Sequence, residues 1–171
     1  MPGRAWKRID AQPYAPIKLG LYTIALSAIT FMARTVGGLL LDISFPWFVL
    51  EGMLFTLICI GVVLSLGLLF IPCARFARRP VNDGHAMKLA LFSATPLWIW
   101  GFFQVVPSGL VRTFFLLVSL AHCCWLLFTG LPKLFGTEPL HTLVLSLVAA
   151  AIWVIGLAVL TQVFLGLAFA L

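Results

Sequence analysis

The sequence predicts an all-α integral membrane bundle with five transmembrane helices, N-terminus in the cytoplasm and C-terminus outside. Three observations predict it. The 171 residues are 63% hydrophobic and only 9% charged, whereas soluble domains carry roughly 25% charged residues. Mean hydropathy is +1.14, too apolar for polar groups to cover a globular surface, so the bilayer serves as solvent. The apolar residues also gather into runs of the ~20 residues a helix needs to cross a hydrocarbon core.

Residues 1–16 are a polar cytoplasmic segment, and residues 17–171 form the membrane domain. Arg4, Lys7 and Arg8 flank Trp6, the pattern of an interfacial anchor. The periodicity over residues 4–12 is too short to establish an amphipathic helix. The first span runs from Ile17 to Leu41; the run after Lys18 reaches Arg34 without a small-residue cleavage site, so it reads as a retained span rather than a secretory signal. Arg34 then falls at the far interface, with Gly37-Gly38 and Asp42 in the turn beyond. Ser44 and Pro46 open the second span, Trp47 to Cys73, as cap and first-turn residue. Asn82-Asp83-Gly84 reads as a turn. The third span covers Met87 to Val106 and the fourth Leu110 to Leu131, joined so tightly by Pro107-Ser108-Gly109 that the two helices must be antiparallel neighbours.

The last run, Leu140 to Leu171, is uncharged. Its 32 residues would extend about 48 Å as one helix, so the expectation is one span plus a short extension, tilted or broken near Gly156 or Thr161-Gln162. Orientation follows from charge. Nine basic residues (Arg4, Lys7, Arg8, Lys18, Arg75, Arg78, Arg79, Lys88, Lys133) fall on one side and two (Arg34, Arg112) on the other. The positive-inside rule makes the first side cytoplasmic.

Pro96 interrupts the third span, and its missing N–H frees the carbonyl near Phe92, for which Ser93 and Thr95 are the expected partners. Arg34, Asp42, Glu51 and Arg112 gather toward the outer side with charges that cancel, as an interfacial lock or an ion-coupled site. Glu51 lies furthest inside an apolar run. Gln104 and Gln162 are suited to hydrogen bonds between helices, and Gly61/Ser65, Ala90/Ala94 and Ser146/Ala150 to close helix approach. His122-Cys123-Cys124 point about 100° apart in succession on a helix and cannot share one ion, so no metal or cofactor is expected, and the four cysteines are expected to stay reduced. No catalytic triad, phosphate loop or HExxH helix is present. The net charge of +6 lies beside apolar runs rather than on a polar surface, which excludes a nucleic-acid partner.

The spacing of Ala86, Lys88, Ala90, Ser93, Thr95, Pro96, Trp98 and Gly101, followed by Pro107, Gly130-Leu131-Pro132 and Pro139, resembles the Yip family of Ypt/Rab-interacting membrane proteins, in particular its bacterial branch. The resemblance covers roughly residues 50–170, and more loosely Trp6, Ile9, Leu21 and Tyr22. It implies five spans, a cytoplasmic N-terminus and a bacterial inner membrane. It also implies a non-enzymatic adaptor or membrane organiser, with partners among membrane lipid, proteins at the cytoplasmic face and further copies of the chain. Eukaryotic relatives are associated with trafficking and GTPase interaction. A small oligomeric transporter or channel, using Arg34, Glu51 and the Pro96 kink, is the alternative.

Overall fold

The structure, a computed structural model, describes residues 2–40, 45–71, 83–106 and 108–169. These residues form six α-helices: α1 (Pro2–Ala11), α2 (Pro16–Leu40), α3 (Phe45–Phe70), α4 (Asp83–Phe102), α5 (Gly109–Leu134) and α6 (Pro139–Phe169). A 3-10 turn, Phe103–Val105, follows α4. No strand occurs among the described residues. Among the described residues, four segments are long and apolar enough to cross a membrane: Pro16–Leu40, Gly52–Phe70, Gly109–Leu134 and Pro139–Gly156. Their outward faces carry large apolar side chains such as Leu21, Leu57, Leu117 and Leu147. Such a surface is suited to lipid rather than water, as expected of a membrane protein.

The predicted third span behaves differently. Twelve of the twenty residues of α4 are buried, against five of twenty-six in α5. Helices α2, α3 and α5 pack around α4, and α6 packs on α3 and α5. Because α4 is shielded by protein, it need not be as apolar as its neighbours, and small residues let them approach. A Cβ on Gly67 would meet Met87 Sδ of α4, and one on Gly101 would lie 2.7 Å from Thr30 Oγ1 of α2. Polar contacts tie α2 to α4 as well. The Tyr22 hydroxyl shares a 2.8 Å hydrogen bond with Thr95 Oγ1, and Thr30 Oγ1 donates to the carbonyl of Trp98 at 3.4 Å.

Several expectations are corrected. Gly37-Gly38, expected in the turn beyond Arg34, lie inside α2, and both are buried; the span's bounds, Ile17 to Leu41, agree with α2. Asp83 and Gly84 open α4 instead of forming a turn, so the helix starts four residues before Met87. Pro132 lies inside α5, which continues to Leu134. The helix ends where Gly136, at φ 64°, takes the left-handed conformation that closes a helix C-terminus at little cost for glycine. Gly136 N donates to the carbonyl of Pro132 at 3.1 Å. The last run is unbroken at Gly156 and at Thr161-Gln162, and α6 is one 31-residue helix about 46 Å long.

Gly61 and Ser65 face outward: Gly61 has nothing within 4 Å of a built Cβ, and Ser65 Oγ bonds the carbonyl of Gly61. Ala90 and Ala94 do lie in the core, at 0% exposure. Pro96 is accommodated inside α4, but not as expected. Ser93 Oγ bonds the carbonyls of Leu89 and Ala90, and Thr95 Oγ1 that of Leu91. Their hydroxyls therefore serve the turn before the proline gap and not the carbonyl of Phe92.

Candidate functional site

The most elaborated polar region lies where α1 meets the α4–α5 hairpin. Residues 2–11 form a helix with a divided surface. At 100° per residue, Arg4, Lys7 and Arg8 occupy an arc of about 100°, and Trp6, Ile9 and Asp10 an arc on the opposite side. The second arc faces the bundle. Trp6 is 2% exposed and its Nε1 donates to Thr129 Oγ1 of α5 at 3.2 Å. The indole lies over Gly130, where a Cβ would come within 2.8 Å of Trp6 ring atoms and of Leu89 Cδ1. Gly130 is thus required by close approach: any side chain there would displace Trp6.

Lys88 completes the attachment. It projects from the second turn of α4, is 5% exposed, and donates from Nζ to the carbonyls of Ile9, at 3.1 Å, and Gln12. The last carbonyls of a helix have no intrahelical partner and attract cations through the helix dipole. A buried ammonium needs hydrogen-bond acceptors to offset its desolvation. Each group therefore answers the other's deficit. His85, one turn before Lys88, lies 3.3 Å from Asp10 through Nε2. Three contacts, from Trp6, Asp10 and the carbonyls at the C-terminal end of α1, hold one ten-residue helix. Such a short helix is marginal alone in water, so it owes its structure to this docking.

At the opposite end of the bundle, where α2 packs on the Phe103–Val105 turn, Trp100 Nε1 donates to the Arg112 carbonyl at 2.9 Å. Phe103 stacks on Phe115 at 3.7 Å between ring centroids, closing the hairpin tip. Of the expected outer cluster, Arg34 lies in α2 and Arg112 in α5. Asp42, Pro107 and the side chains of Glu51 and Gln104 lie outside the described residues. Trp98 is a core residue at 3% exposure, and its Nε1 has no hydrogen-bond partner among the described residues. Pro96 is buried within α4, and Pro132 is half-buried in the last turn of α5. His122 is exposed while Cys123 is fully buried. Among the described residues no three His, Cys, Asp or Glu side chains converge.

The α1 docking site was only partly visible in the sequence. Trp6, Lys88 and Gly130 each stood out, as anchor, end-of-span charge and motif glycine. Their meeting was not visible, because Trp6 and Thr129 are separated by 123 positions. A lysine at the edge of an apolar run was the available signal for a buried acceptor partner. No family model, curated protein or solved structure matches this chain.

Proposed function

We propose that this protein is a non-enzymatic, multi-pass adaptor or membrane-organising protein of the Yip type. In this reading it resides in a bacterial inner membrane with five spans, a cytoplasmic N-terminus and an outer C-terminus. The observation that carries the reading is Lys88. A cation set into a span would serve a transport path if it faced a water-filled route. Here it is consumed in holding α1 against the hairpin, making a fixed surface at the basic side of the protein. The hydroxyls of Ser27, Thr30, Ser93 and Thr129 are likewise committed to backbone carbonyls of the helices, which favours a packing role for the polar residues within the bundle. The central, shielded α4 supports counting it as the fifth span, and the nine-to-two division of basic residues supports the orientation.

The reading is tested by reconstituting the protein in proteoliposomes and measuring ion and proton flux, with Glu51→Gln as control. An adaptor shows no flux above empty vesicles. Flux that disappears in Glu51→Gln establishes the transporter alternative instead. A reporter fused after Leu171 should be active only outside the cytoplasm; cytoplasmic activity would overturn the five-span topology.

A further inference from the structure

We infer that docked α1 is a headgroup-binding element: Arg4, Lys7 and Arg8 form a cationic face that engages anionic phospholipid headgroups. The inference rests on the bundle lying in a membrane, and not on its acting as an adaptor.

The docking determines which side of α1 is available. With Trp6 and Ile9 turned to the bundle, the free arc carries Arg4, Lys7 and Arg8, all exposed. None of the three is in an ion pair among the described residues. An amphipathic helix that binds membranes by insertion presents its apolar side to the lipid. In α1 that side is already occupied by protein, so lipid contact through this helix can only be electrostatic.

Depth favours lipid over a soluble acidic partner. Trp6 docks on Leu89 and Gly130. These lie six residues from the start of α4 at Asp83 and four from the end of α5 at Leu134, so they sit about 9 Å and about 6 Å inside the helix ends. Helix α5, at 26 residues, is about 39 Å long against a hydrocarbon thickness of ~30 Å. Its end therefore reaches the headgroup layer, and α1 lies alongside that end rather than beyond it. Two arginines suit phosphate, because their guanidinium groups can bind its oxygens in bidentate fashion.

The test uses the full-length protein in neutral detergent, titrated with dioleoyl phosphatidylglycerol or dioleoyl phosphatidylcholine and read by native mass spectrometry. The expected result is preferential retention of phosphatidylglycerol, weakening as salt rises. In an Arg4→Gln, Lys7→Gln, Arg8→Gln variant the preference should fall by about a hundredfold, since each basic residue near an anionic surface contributes about fivefold. These positions are exposed, so the substitutions leave the bundle intact. Removing two charges elsewhere, with Lys18→Gln and Lys133→Gln, should cost less. Equal retention of the two lipids overturns the inference, as does a preference that survives in the triple variant. A loss just as large in the Lys18, Lys133 variant would also overturn it, by showing that diffuse charge and not this face is responsible.

Discussion

Replacing Trp6 by alanine should release α1 from the bundle. The indole is 2% exposed, donates one hydrogen bond, and sits in a site shaped by Gly130 and Leu89. Truncating a buried Trp to Ala costs about 3–5 kcal/mol, with the cavity included. Since α1 is too short to persist as a free helix, the loss falls on the equilibrium between docked and unfolded α1. The open population should rise by about two to nearly four orders of magnitude. Trypsin reads this directly, because Arg4, Lys7 and Arg8 lie in α1, while Arg75 and Arg78, between α3 and α4 in sequence, provide an internal reference. When opening is fast relative to cleavage, the cleavage rate follows the open population. Cleavage within α1 should therefore accelerate at least a hundredfold, with the reference sites unchanged. Trp6→Phe, which keeps a large ring but loses the Thr129 hydrogen bond, should show a smaller effect of about fivefold, corresponding to about 1 kcal/mol. An alanine variant cleaved within threefold of wild type would refute the docking argument.

Gly130→Ala should weaken the same docking by about 1–3 kcal/mol through overpacking, detected as faster cleavage within α1. Gly61→Ala, with open space around it, should leave thermal stability in detergent unchanged or raise it by up to ~1 kcal/mol. Lys88→Met should speed hydrogen exchange through α1 by removing two charge-assisted hydrogen bonds; after the gain from no longer burying the ammonium, the net loss should be about 1–3 kcal/mol. Gly101→Ala should lower thermal stability by about 1–3 kcal/mol because its Cβ meets Thr30; combining it with Thr30→Ala should recover part of the loss, and strict additivity would show that the contact is not the cause.

The long elements were legible because membrane helices declare themselves by length and apolarity, and α2, α3, α5 and α6 all lie where such runs occur. Their ends were less legible. Gly37-Gly38 and Pro132 carry local signals for a turn or break, but packing overrides them: the glycines are buried in α2, and α5 continues past the proline. The central position of α4 was hidden, since its Gly, Ala and Ser content could equally have served a homo-oligomer contact. Recognition of α1 failed for a different reason. Ten residues give too few turns for a periodicity argument, and the acceptors for Lys88 lie 76 and 79 positions away. No local pattern could connect them.

The central claim is that the N-terminal helix is held by its tryptophan face on the α4–α5 hairpin, leaving its basic face outward. The most direct measurement places the photocrosslinking residue p-benzoylphenylalanine at position 6, irradiates native membranes, and maps the products by mass spectrometry. Crosslinks within the same chain, to the segments containing Leu89, Thr129 and Gly130, are predicted. Crosslinks at position 6 only to lipid or to other proteins would contradict the claim, and would mean that the helix lies on the membrane by its apolar side.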